Sequence, residues 1–195
     1  MPKPLKFALI AAVLLVLGLG AQGTVASWRA ESSVDPGTLQ TGSLQLLAGD
    51  GVNGMQHYQF SQLSSGNLVP GQFTQAPLVI SNGGTSDLGY RLDGAVNAAT
   101  SPTAADIALS EASQLRIHAG MPASACEAGQ PLSGEQLYAG SLGDAAEFAA
   151  PRPLPAESAG GEETLCVRVS LPAGASQTAA GGKLELRLGF VGQQR

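Results

Sequence analysis

The chain has little charge, few aromatics and almost no residues of the kinds that do chemistry. Charged residues make up 13% of its 195 positions and aromatics 5%, with two histidines, two cysteines and one tryptophan. Each scarcity excludes something. The 10 Lys and Arg against 15 Asp and Glu give a formal charge of −5; a chain this acidic and this poor in cations is not expected to bind nucleic acid. The few rings leave little for stacking on sugars. Neither His57 nor His118 lies in an H-E-x-x-H helix, which would supply two zinc ligands and a general base on one face. His118 alternates with Ile117 on an expected strand and reads as a surface residue. No G-x-S-x-G elbow presents a nucleophilic serine. Asp50-Gly51-Val52-Asn53-Gly54 lacks the acidic spacing and final Glu of a calcium loop and reads as an ordinary turn. No carboxylate pair can be assigned as acid and base. The expectation is a protein that is not an enzyme and needs no cofactor.

Long apolar runs are also scarce; there is one. Lys3 and Lys6 precede an uncharged stretch from Phe7 to Leu19. As a helix, that stretch rises only about 20 Å, short of a hydrocarbon core of about 30 Å. Small residues follow, and Ala26 and Ser27 suit a cleavage site. Residues 1–27 therefore read as a signal peptide and 28–195 as one mature domain; the alternative is an uncleaved N-terminal anchor. No second run of spanning length follows, so the mature part is expected to be free of the membrane, either secreted or at the cell surface. Loss of Lys3 and Lys6 leaves 8 basic against 15 acidic residues, a net −7. Such sparse charge protects weakly against self-association.

Cys126 and Cys166, isolated in an exported chain, are most simply a disulfide. Closing a loop of about 40 residues would stabilise by roughly 4 kcal/mol in the chain-entropy model. Two free thiols, or half of a metal site, are the alternatives.

The rest of the chain reads as strands and turns. Gly42–Leu46 alternates polar and apolar residues, and Tyr58–Leu63 is a second strand. Val69-Pro70-Gly71-Gln72 is a turn, because Pro presets φ and Gly accepts positive φ. Phe73–Ser81 is a strand in which Pro77 implies an edge position or a bulge. Asn82-Gly83-Gly84-Thr85 turns the chain, and Leu88, Tyr90 and Leu92 share one face. Ala95–Ala112 holds a short helix or an irregular loop. Leu115, Ile117 and Ala119 alternate, and Cys126 follows in a loop. Leu137–Leu142 is a short strand, and Ala145–Gly161 a long surface connection. Leu165, Val167, Val169 and Leu171 line one face of a strand; Leu184, Leu186, Leu188 and Phe190 line another. Eight or nine one-sided strands imply an all-β fold, an antiparallel β-sandwich of jelly-roll or immunoglobulin-like type.

The order of these motifs resembles the camelysin/TasA family of exported proteins, whose signal peptide is processed by a SipW-type signal peptidase. Gly23-Thr24-Val25-Ala26-Ser27-Trp28 is similar to the family's cleavage region. Pro36–Leu46 is similar to its early "gtl.tG.l.l" segment. Leu68-Val69-Pro70-Gly71-Gln72-Phe73 and Val79–Thr85 are similar to its "l.PGd" and "v.v.N.Gt" turns. Leu165–Pro172 and Leu184–Gln193 resemble the actinobacterial-type members. The resemblance implies a secreted jelly-roll-like sandwich, often polymerising into fibres of the extracellular or biofilm matrix. In fibre-forming relatives a processed N-terminal segment adds as a strand to the next subunit. Here it would begin near Ser27 or Trp28 and run towards Val34, with Trp28 as anchor. Alternatively Trp28 packs into its own domain or marks the processing site. The chain is shorter than the best-known fibre protein and carries a cysteine pair that protein lacks. The leading expectation is a structural, self-associating protein. A secreted monomeric binding module is the second, and a camelysin-like metalloprotease the third.

Overall fold

The computed structural model describes residues 42–50, 54–55, 63 and 68–195. The expected cleavage site at Ala26 and Ser27, Trp28, His57 and nearly all of the Tyr58–Leu63 strand lie outside the described residues.

The described chain is an all-β sandwich of two antiparallel sheets. Its strands are β1 (Leu46–Gly49), β2 (Gly54–Met55), β3 (Phe73–Asn82), β4 (Leu88–Asn97), β5 (Gln114–Ala119), β6 (Glu135–Ser141), β7 (Gly143–Glu147), β8 (Arg152–Leu154), β9 (Glu162–Ser170) and β10 (Leu186–Gln194). Two short helices interrupt them, α1 (Ala104–Ala112) and α2 (Ala123–Glu127). The larger sheet runs β2-β1-β3-β9-β5-β6. In the smaller one β4 lies between β10 and β7, and β8 pairs with β4 on the β7 flank.

Period-two alternation places the core. Leu78, Ile80, Leu115, Ile117, Leu165 and Val167 point inward from the larger sheet, and Leu88, Tyr90, Leu92 and Leu154 from the smaller. Each such side chain, fully buried, contributes about 1.5–3 kcal/mol. Tyr90, Phe148 and Phe190 form a three-ring cluster with centroids 6.2–6.3 Å apart. The alternation of β4 breaks at Gly94, whose φ is +101°. Pairing with β7 shifts register there. The extra residue returns Ala95, at an odd position, to the same core as Leu88, Tyr90 and Leu92.

The turns follow their sequences. Gln72 N donates to the Val69 carbonyl at 3.0 Å around Pro70 and Gly71, with Gly71 at φ +86°. Asn82 at the β3–β4 turn is 1% exposed. Its amide donates to the carbonyls of Ser86 (2.9 Å) and Pro155 (2.9 Å), and its Oδ1 accepts from Gly84 N at 2.9 Å. It therefore ties the turn to the end of β8.

Several expectations need correction. The strand expected over 42–46 begins at Leu46, although Ser43 and Gln45 carbonyls still accept from Thr85 and Gly83 N–H groups. The 95–112 stretch divides: β4 continues to Asn97, and α1 starts at a Thr103 cap, with a reciprocal Asp106 bond that completes a capping box. Backbone N–H groups of Lys183 and Thr103 hold the Asp106 carboxyl below its usual pKa. Cys126 lies on α2 rather than in a loop. The expected surface connection Ala145–Gly161 contains part of β7, all of β8 and a 3-10 turn, Glu157–Ala159. Its Ala and Pro content hid these strands because edge strands are short and tolerate proline. Among the described residues Pro77 sits where β3 pairs with β9 alone, since β1 covers only Val79–Asn82; this agrees with an edge position.

Candidate functional site

Three features stand out from the framework: a disulfide-pinned flap, a clasp of charges between the sheets, and a long open strand edge. Cys126 and Cys166 are bonded, with Cα atoms 5.8 Å apart. Cys166 is on the outer face of β9, opposite Pro77 on β3 and His118 on β5. The bond holds α2 against that face, and Met121, both cysteines, Ala125 and Leu132 form a separate apolar cluster. Gln75 Nε2 donates to the Cys126 carbonyl at 2.8 Å. His118 is therefore not a surface residue. It is 9% exposed, and its Nδ1 lies 3.2 Å from the Ser133 carbonyl. Alternation assigned it correctly to the outer face, but the flap buries that face. Among the described residues no group of three or more His, Cys, Asp or Glu could hold a metal ion.

The clasp centres on Glu163, whose position on β9 points towards the smaller sheet. Arg152 on β8 donates to it through Nε (2.9 and 3.0 Å) and Nη2 (2.6 Å), and reaches Glu135 on β6 through Nη1 at 2.9 Å. The Tyr90 hydroxyl donates to Glu163. Arg152 and Glu163 side chains are about a fifth exposed (21% and 19%). The Glu163 hydrogen bonds raise the Arg152 pKa, with Glu135 adding to them against the opposing effect of burial. Burial first, and then Glu163, push the Tyr90 phenol far above its ordinary value. Tyr90 is thus held as a neutral donor and Arg152 as a cation, and together with Glu163 they link the two sheets. Local pattern does not reveal this clasp, because Arg152 and Glu163 lie in or beside the Ala- and Pro-rich stretch 145–161, which carries no clear alternation.

A shallow cavity of ≈300 Å³ opens at the outer face of β1, β3 and β9. Leu47, Val79, Ser81, Glu157 and Glu162 are among its lining residues. Among the described residues its lining holds no histidine, lysine or arginine.

The open edge is β10. Among the described residues it pairs with β4 alone over the whole of Leu186–Gln194. Leu186, Leu188 and Phe190 pack against the core but stay half-buried. At the register shift between Leu188 and Phe190 the extra residue lies on β4, which advances three residues (Leu92 to Ala95) against two on β10, so β10 itself carries no bulge there. Natural sheets use bulges in an edge strand to blunt it, and an unblunted edge is a template for another strand. The described residues contain no helix long and apolar enough to cross a membrane.

No protein-family model matches the chain, and no curated protein matches it.

Proposed function

We propose that this chain is an exported structural subunit of the cell surface or extracellular matrix, which self-associates by adding a processed N-terminal strand to a second copy. The observation that carries this reading is the open β10 edge with its half-buried apolar row. The occupant is the segment from Trp28 to Val34 of another copy, freed by a SipW-type peptidase cutting near Ala26 and Ser27. At about 3.3 Å per residue that segment spans roughly 23 Å, and β10 roughly 30 Å, so the lengths are compatible. Strand addition would satisfy backbone groups along β10, and Trp28 would supply one large apolar anchor. The Cys126–Cys166 bond suits an oxidising compartment. The motif order from Gly23 to Thr85 supports the resemblance to camelysin/TasA proteins, and sparse charge supports association.

The test is light scattering and electron microscopy of the protein beginning at Trp28, beside a version beginning at Asp35. Fibres or oligomers are expected from the first and not the second, with Trp28→Ala intermediate. A Trp28 form that stays monomeric at high concentration would overturn the reading.

A further inference from the structure

The outer face of the larger sheet carries two arginines side by side. Arg116 on β5 and Arg168 on β9 are register partners. Directly opposed like charges repel, and among the described residues neither forms an ion pair. Arg168 is held rigidly. Its Nε donates to Gln75 Oε1 at 2.6 Å and its Nη2 to the Gln130 carbonyl at 2.8 Å. Its guanidinium lies 4.0 Å from the centre of the Phe73 ring. Burial and the Arg116 charge both lower the Arg168 pKa. Arg116 is exposed, and no side-chain hydrogen bond occupies it among the described residues. Arg168 leans towards β3, and in a domain with so few cations this leaves Arg168 Nη1 and the Arg116 guanidinium, one strand away, without a hydrogen-bond partner among the described residues.

The surroundings narrow the ligand. Phe73 is 44% exposed. Gln114 and Ser170 are the next register pair. Their polar groups are held only loosely, Gln114 Nε2 to Ser141 Oγ at 3.4 Å and Ser170 Oγ to the Gln114 carbonyl at 3.5 Å. Both β5 and β9 are interior strands, so their backbones are already paired. An acidic peptide would find no ladder to join, and a bare anion would leave the ring, amide and hydroxyls unused.

We propose that this face binds an acidic polysaccharide through its carboxylate-bearing sugar units. Arg116 offers its free guanidinium fork to the carboxylate, and Arg168 adds its charge and the one remaining nitrogen, Nη1. Phe73, Gln114 and Ser170 meet the ring and its hydroxyls. The acidity of the rest of the domain does not forbid this, because charges beyond about 8 Å are largely screened at physiological salt. The inference does not depend on assembly.

The test is affinity electrophoresis of the full chain in polygalacturonate, with dextran as the neutral control, alongside Arg116→Gln and Arg116→Glu. Retardation by polygalacturonate and not dextran is expected, weakened about tenfold in R116Q and abolished in R116E. R116E is expected to hold or raise Tm, because Glu at 116 would face Arg168. Equal behaviour in the two polymers, or an R116E variant that binds like the parent, would overturn the proposal. So would displacement of the polymer by inorganic phosphate but not by galacturonate.

Discussion

On one lateral side of the sandwich, β6 of the larger sheet runs almost directly into β7 of the smaller, and Arg152 clasps Glu135 and Glu163 across the gap. On the other side β1 and β10 approach without any such corner. Gly192 of β10 lies against Leu46, close enough that a methyl group there would sit 3.6 Å from the Leu46 Cβ. The contacts on that side are apolar and half-buried: Leu46, Leu186, Leu188 and Phe190. The difference is between a directional closure and a non-directional one. A charged, hydrogen-bonded clasp fixes one geometry, and breaking it strands a partly buried charge. Apolar packing at an open edge costs less to disturb and accepts a new neighbour readily.

Substitutions can break or sharpen this contrast. The largest effect is expected from Cys126→Ala with Cys166→Ala. It frees a 40-residue loop and loosens the flap that leads into Glu135 and β6. Chemical denaturation should show a loss of about 4 kcal/mol, and His118 should become reactive to diethyl pyrocarbonate. A loss below about 1 kcal/mol would mean that the flap is held by packing alone. Next is Glu163→Ala, which leaves Arg152 without its main partner and Tyr90 without its acceptor. About 3 kcal/mol is expected, at the low end for a broken buried pair because both side chains are about a fifth exposed. Smallest is Leu188→Ala on the open side. A fully buried Leu→Ala costs about 2–5 kcal/mol, and a half-buried one about 1 kcal/mol. If Leu188→Ala proved as costly as Glu163→Ala, the two sides would be equally closed and the contrast would fail.

Much of the fold could be read from local pattern. β3, β4, β5, β9 and β10 announce themselves by alternation, because each buries one face against the opposite sheet. The Pro70-Gly71 turn is legible because backbone sterics act within a few residues. The Cys126–Cys166 pairing is legible because the chain holds two cysteines and no others. β7 and β8 were not legible: they are short edge strands that need only a paired neighbour on β4, so their sequence carries little periodicity. The helix around Cys126 is a single short turn held by a crosslink from outside. The candidate site was less legible still. Alternation could give the outer-face positions of Arg116 and Arg168, but not that β5 and β9 are neighbours in register.

By itself, then, the sequence determined the inward face of each long strand, the turns and the single covalent link. These depend on side-chain period and backbone sterics, which are local. The tertiary structure alone decided which strands became neighbours and which faces were covered a second time. It put His118 under the flap, joined Arg152 to Glu163 between the sheets, set two arginines together on an open face and left β10 at an edge. Each of these depends on contacts between residues far apart in the chain, and no local pattern encodes them.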